Sequence, residues 1–376
     1  MVAPASKCID RLSFHNSSPN RGGKHERQKK SVWLAVLSLP LFIFFIPVAA
    51  FTQANFYQGK TITLVRGSTP GGVGERRARA VIPYLTKHIP GNPTVVMEFM
   101  AGAGGRKAAN YMYHRARPDG LTLANIGSGH IISAVLGETG VDYDIDKFIY
   151  LGTPNTGTHY IFITMSKLGL NSLEKLRAHS GLRVVAHAVG HEIYFTGRLF
   201  AYMLGLKDPR FVTGFGDPEM LVALAQGEVD GRSQVSESIE RTPGWIDKGA
   251  VDFHAILETP GVKKHPRFSQ LPALESFAKS AREQNLLLMH RAFRSVGTPY
   301  LFPPGTPKDR VETVTEALRT TLRDPAFLSD FKKLTGADAT PLMAEEQMKA
   351  IREIPRDREV IELFKKLVSA EPLPPR

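Results

Sequence analysis

Two glycine-rich segments carry the plainest chemistry in the sequence. Gly67-Ser-Thr-Pro-Gly-Gly-Val-Gly74 and Ala101-Gly-Ala-Gly-Gly105 each separate a β-branched run from a helix-like stretch. Turns of this kind present backbone N–H groups at a helix N-terminus. The unpaired donors and the helix dipole favour a carboxylate or a phosphate there. Two such turns in adjacent βα units can converge at the C-terminal edge of one sheet, where α/β proteins bind their ligands. The plainer alternative is a pair of tight connections with no ligand. Neither is a nucleotide motif. Gly102-Ala-Gly-Gly-Arg-Lys107 lacks the third glycine of the dinucleotide fingerprint, and Gly71-Gly-Val-Gly-Glu75 lacks the Gly-Lys-Ser/Thr ending.

A second group is His187-Ala-Val-Gly-His191-Glu192. Histidines at i and i+4 on one helix face could hold a metal with the glutamate nearby. Gly190 interrupts such a helix, and the spacing instead places His187 at a strand end and His191 at the next helix start. Metal ligation, ligand contact, and capping or packing all stay open on spacing alone. Ser128 and His130 in one loop, and Asn155, Thr156 and Thr158 in another, fall at strand ends and read as turn residues. No serine nucleophile can be assigned, because Ile126-Gly-Ser-Gly-His130 lacks the Gly-x-Ser-x-Gly spacing.

The segments that must position these groups alternate between strand and helix. Strands are expected at 61–66, 93–98, 121–126, 149–152, 160–164, 182–187 and 251–257. Helices are expected at 75–87, 107–115, 172–178, 192–204 and 218–226, the last running into a turn at 227–231. Strands separated by helices imply βαβ units and an α/β fold with parallel sheets. Ser172 is placed to cap its helix. The C-terminal part is mostly helical. Thr306-Pro307 reads as N-cap and first helical residue, and Asp324-Pro325 starts a helix with Phe327, Leu328, Phe331 and Leu334 inward. Further helices are expected at 345–352 and 359–368, followed by a frayed Pro-rich end at 371–376.

The chain has 376 residues, 42% hydrophobic and 22% charged, enough for two domains with a conventional core and no metal or disulfide staple. That composition excludes a disordered, collagen-like or multi-span membrane chain. Residues 1–30 are polar and end in Lys24-His-Glu-Arg-Gln-Lys-Lys30, and an apolar run from Val32 to Ala50 follows. A basic region, an apolar stretch and a small-residue exit read as a cleaved export signal over 1–54. An uncleaved anchor is the competing reading, since 19 residues can span a bilayer. Without 1–54 the formal charge falls from +12 to +7, a moderate excess that suits an anionic solute. No basic stripe with interleaved aromatics points to nucleic acid. Cys8 is the only cysteine, so the remainder has no disulfide and no thiol nucleophile.

Longer stretches, taken in order, resemble a known family. They include Phe56-Tyr-Gln-Gly-Lys-Thr-Ile-Thr-Leu-Val65, Ser68-Thr-Pro-Gly-Gly72, His88-Ile-Pro-Gly-Asn-Pro-Thr-Val-Val96 and Ala101-Gly-Ala-Gly104. Ala108-Ala-Asn-Tyr111, Pro118-Asp-Gly120, Gly227-Glu-Val-Asp-Gly231, Pro303-Pro-Gly-Thr-Pro307 and Asp324-Pro-Ala-Phe327 continue the series. Together they resemble the Bug (TctC-like) family, the extracytoplasmic solute receptors of tripartite tricarboxylate transporters. The resemblance implies a type II periplasmic-binding-protein fold, two α/β lobes joined by crossing strands with a ligand cleft between them. Lobe 1 would comprise 55–155 plus 258–376, and lobe 2 would comprise 156–257.

It further implies a periplasmic, non-catalytic protein without a cofactor. Such a protein captures a small organic acid by hinge closure and presents it to membrane transporter subunits. By the same resemblance, Ser68, Thr69, Gly71, Gly72 and Glu75 of the first turn and Ala103, Gly104 and Gly105 of the second would clasp a carboxylate. Ser128 would lie beside them, and His187, Gly190 and His191 would meet the far end of the ligand. The chain departs from the family at Glu75, where aspartate is usual, and at Gly74, often bulkier. It departs again at Ala101, where proline is usual, and at His187 and His191, where Gly, Ser and Thr are common. Two histidines would suit an anionic or metal-complexed solute and make its affinity pH-dependent. The alternatives are a ligand sensor on the same fold that feeds a signalling partner, and a metal-dependent hydrolase using His187, His191 and Glu192.

Overall fold

The β-branched run Thr61–Arg66 forms strand β1, with Ile62, Leu64 and Val65 fully buried. The computed structural model describes residues 56–156, 158–259 and 264–376, and the expected export signal lies outside the described residues. After β1 come α1 (Val73–His88), β2 (Thr94–Phe99), α2 (Arg106–His114), β3 (Thr122–Asn125), α3 (Gly129–Leu136) and β4 (Ile149–Thr153). β1 pairs in parallel with both β2 and β3, as βαβ units require.

The chain then crosses into a second sheet. It forms β5 (Tyr160–Met165), α4 (Leu173–Ala178), β6 (Arg183–Val185), α5 (Glu192–Leu204), β7 (Arg210–Val212), α6 (Asp217–Gln226), β8 (Gly231–Val235), α7 (Ser236–Arg241) and β9 (Val251–Leu257). It returns through α8 (Ala281–Ser295) and places β10 (Tyr300–Phe302) antiparallel between β3 and β4. It ends in α9 (Lys308–Arg323), α10 (Pro325–Thr335), β11 (Leu342–Met343), α11 (Ala344–Arg352) and α12 (Arg358–Val368). No helix among the described residues is long and apolar enough to cross a membrane.

The two sheets run β11-β4-β10-β3-β1-β2 and β7-β6-β8-β5-β9. They share one plan: β1, like β6, lies between the two strands that follow it, and beyond these comes a strand delivered by a crossing of the chain. β10 plays that part in the first sheet and β5 in the second, and both run antiparallel to their neighbours. Beneath the first sheet, α1, α9 and α10 bury Val81, Leu85, Leu318, Phe327 and Phe331. In the second, Ile161, Val185, Met220 and Trp245 share a core. A third cluster joins α3, α5, α8 and α12.

Several expectations are corrected. Thr306 does not cap α9: its hydroxyl donates to the Pro303 carbonyl at 2.9 Å, and the helix begins at Lys308 after an uncapped Pro307. Leu328 and Leu334 are exposed, because α10 turns Phe327, Phe331 and Thr335 inward instead. The Pro-rich end is not frayed. Arg376 binds Glu283 and the Met203 and Phe277 carbonyls, and Arg198 binds the Glu371 carbonyl. Gly231, expected in a turn, opens β8, and β7, β8, β10, β11, α3, α7 and α8 have no counterpart in the expected pattern.

Candidate functional site

The turn 67–72 carries the chain from the C-terminal end of β1 into α1. Gly72 stands at the N-cap in extended conformation, so no side chain covers the first amides of a 16-residue helix. The turn is braced from outside: the Gly71 N–H donates to Glu75 Oε2 at 2.6 Å, and Arg79 Nε donates to Glu75 Oε1 at 2.7 Å. The Gly71 hydrogen bond, with help from Arg79, holds the Glu75 carboxyl below its ordinary range.

The second turn follows β2 and presses on the other lobe. Gly104 has φ +65°, and a Cβ there would overlap the Gly190 carbonyl. The first turn makes similar contact. A Cβ on Gly72 would lie 2.6 Å from Asp217 Oδ2, and one on Gly71 3.0 Å from Pro218. Arg77 of α1 also reaches across, donating to Glu237 at 2.8 Å and to Thr158 at 3.0 Å. These contacts enclose a cleft of about 120 Å³, floored by residues 66–69 and 72–74 and walled by Tyr160, His187, His191, Glu192, Asp217 and Gln234. At about 30 Å³ per water, that is room for roughly four waters or one small organic molecule.

Arg66 lies in the floor of this cleft at 3% exposure. Its guanidinium donates to the Asn125 side chain, to the Asn125 carbonyl at 3.2 Å and to Ser68 Oγ at 3.4 Å, while Nε has no acceptor. These partners are all neutral. Glu75, the carboxylate whose charge it feels most, is committed to Arg79 and Gly71. Burial lowers its pKa to about 10, which leaves it charged at neutral pH. Gly74 makes room for it, since a side chain there would collide with Nη2. The other charges of the cleft are answered. Arg77 pairs with Glu237, Glu192 with Arg294, and Asp217 with Arg232 at 3.0 Å and His187 at 3.5 Å.

No protein-family model matches the chain, and no curated protein matches it in sequence. Solved structures do match. The periplasmic binding protein BugD aligns over 83% of this chain and 98% of its own, with TM-score 0.66 and 20% identity. MatC (Rpa3494) from Rhodopseudomonas palustris, with bound malate, aligns over 82% and 99%, with TM-score 0.62 and 21% identity. R. palustris Rpa4515, with adipate, aligns over 82% and 97%, with TM-score 0.62 and 19% identity. The fold is that of a two-lobed periplasmic binding protein.

Within this periplasmic-binding-protein fold, Ser68, Thr69, Gly72, Gly104, His187 and His191 line the inter-lobe cleft. The other six residues singled out from sequence stand behind that surface. Gly71 and Glu75 brace the first turn, and Ala103 and Gly105 shape the second in left-handed conformations. Gly190 supplies the carbonyl that Gly104 meets, and Ser128 is buried with an unpaired hydroxyl.

His191 caps α5: its Nδ1 accepts the Ile193 N–H at 3.1 Å, which leaves the ring proton on Nε2. The His187 ring lies 4.1 Å away. Burial, then the charge of His187, holds the His191 pKa well below the ordinary histidine value, so it stays neutral and does not titrate near neutral pH. Burial alone would raise the Asp217 carboxyl, but the His187 hydrogen bond and the Arg232 charge outweigh it and hold Asp217 far below the carboxylate range. Among the described residues no group of three or more His, Cys, Asp or Glu is gathered to hold a metal. Arg66 escaped the sequence reading. Its signal is that it is the one charged residue between Thr61 and Gly74, at the end of an apolar strand and directly before a glycine turn.

Proposed function

We propose that the protein is an extracytoplasmic receptor that captures a small organic anion, a carboxylate, and presents it to membrane transporter subunits. The observation that carries this reading is Arg66, a buried guanidinium without a counter-charge in the floor of the inter-lobe cleft. An isolated buried charge is costly, and an anion in the cleft would offset that cost through charge-assisted hydrogen bonds. The resemblance to the Bug (TctC-like) family supports the same role, as do the carboxylates held by MatC and Rpa4515.

The mechanism makes and breaks no covalent bond. A carboxylate entering between lobes 55–155 plus 258–376 and 156–257 anchors on Arg66 and on the amides of Ser68, Thr69 and Gly72. Closure then brings Gly104 onto Gly190, Gly72 onto Asp217 and Arg77 onto Glu237. Export by the N-terminal segment would place this event in the periplasm.

The test is a melting-temperature and calorimetry panel of small carboxylates on the purified protein. A ligand at a hundred times its Kd stabilises the fold by about 2.7 kcal/mol. Arg66→Gln keeps a donor toward Asn125 but removes the charge. It is expected to lose the ligand-induced shift without lowering the ligand-free melting temperature. An unchanged shift in Arg66→Gln, or no shift with any acid in the parent protein, overturns the proposal.

A further inference from the structure

The charge of the cleft can be counted group by group. On the second-lobe wall, Glu192 and Asp217 line the cavity, while the arginines that pair with them, Arg294 and Arg232, do not line it. Arg77 is spent on Glu237. His187 Nε2 is engaged with Asp217 Oδ1 at 3.5 Å, and His191 is neutral, with its one proton on Nε2. Gln234 uses its side-chain oxygen on the Val235 N–H, which leaves its NH₂ as a donor. Arg66 therefore faces a wall whose hydrogen-bonding groups are neutral donors and carboxylate acceptors, and the floor carries one uncompensated positive charge.

We infer that the cleft selects a singly charged ligand: a small organic acid with one carboxylate, held at Arg66, and a neutral group such as an amide or hydroxyl at its other end. This rests on the receptor reading above and narrows its ligand class. A second carboxylate would be stripped of water and set against Glu192 and Asp217, and the basic groups on that side, Arg294, Arg232 and His187, are already engaged with those two carboxylates. Like charges in such a place exclude a ligand more effectively than missing contacts do. An amide or hydroxyl both donates and accepts, so it can satisfy the wall carboxylates together with His191 and Gln234. The cavity of about 120 Å³ limits the acid to a short chain.

The experiment compares isosteres that differ by one charge. Succinate, adipate and malate are titrated by calorimetry at neutral pH against their half-amides succinamate, adipamate and malamate. Each half-amide is expected to bind at least about tenfold more tightly than its dianionic counterpart. Glu192→Gln, which discharges the wall and releases Arg294, is expected to narrow that preference. The comparison in the parent protein stands by itself if the variant does not fold. Dianions that bind as well as or better than their partners overturn the inference and leave the receptor reading intact. Binding of none of the six also overturns it, and the receptor reading then survives only if another carboxylate in the wider panel binds.

Discussion

Gly104 adopts φ +65° and packs its α-carbon against the Gly190 carbonyl of the opposite lobe. A side chain at this position pays twice. A β-branched residue at positive φ costs roughly 1–3 kcal/mol in backbone strain. Its Cβ also meets backbone rather than the yielding end of a side chain, so only separation of the turns relieves the overlap. Each lobe keeps a buried cluster of its own beside the one that joins α3 to α5, so the strain bears first on the contact between the turns. Gly104→Val is therefore expected to enlarge the radius of gyration measured by X-ray scattering. Ligand affinity should fall by at least about tenfold, or about 1.4 kcal/mol. A variant that scatters and binds like the parent would show that closure does not use this contact. Gly74 illustrates the complementary use of a missing side chain: the space it leaves is filled by the Arg66 guanidinium.

Elements whose signals are local are legible in the sequence. β1 follows from a β-branched run, α5 ends where Gly205 turns left-handed, and α10 starts at Asp324, whose carboxylate accepts the Ala326 N–H. The glycine turns are legible for the same reason. What escapes depends on partners far away in the chain. Arg66 is a cleft residue only because Asn125 and Gly74 frame it, and α3 and α7 lack clear caps in the sequence, whereas α8 has a local signal that the sequence reading missed, Ser280 accepting the Glu283 N–H at 3.2 Å. The end at 371–376 looks frayed by composition, yet Arg376 Nε reaches Glu283 at 2.7 Å and Nη1 the Met203 carbonyl at 2.6 Å. Glu283 Oε2 also accepts the Lys279 N–H at the start of α8. Burial tends to raise the Glu283 carboxyl, but Arg376 and that amide outweigh it and hold it low. The Glu283 side chain is only 6% exposed, so Arg376→Ala leaves a nearly buried carboxylate unpaired. The expected loss is about 3 kcal/mol, read as a lower urea midpoint with an unchanged slope. A midpoint equal to that of the parent would show that the tail adds nothing to α8.

Across the whole molecule the buried imidazoles set the response to acid. His130 of α3, His254 of β9 and His290 of α8 are at most 3% exposed, and burial lowers the pKa of each to about 4. His254 is held neutral beside the Thr164 hydroxyl at 2.8 Å, and His130 has no acceptor for a second proton on Nε2. In the unfolded chain each would titrate near 6.5. Above that value neither state binds a proton and the three groups leave stability unchanged. Below it the unfolded chain binds more protons, so stability falls with pH until the folded groups also titrate, near 4. At about 1.4 kcal/mol per pKa unit, each histidine costs about 3 kcal/mol by that point. The three together approach the whole stability of a typical domain, about 5–15 kcal/mol. The lowered carboxyls of Asp217, Asp230 and Glu283 add losses in more acid solution, while Asp252, raised by its own burial, runs the other way. The three imidazoles lie in both sheets' lobes, so protonation loosens both and does not merely open the hinge. Urea midpoints measured from about pH 7.5 down to about pH 4.5 should be level above pH 6.5 and fall steeply below it. A level midpoint across the range would mean that water reaches these rings and that they protonate within the folded protein.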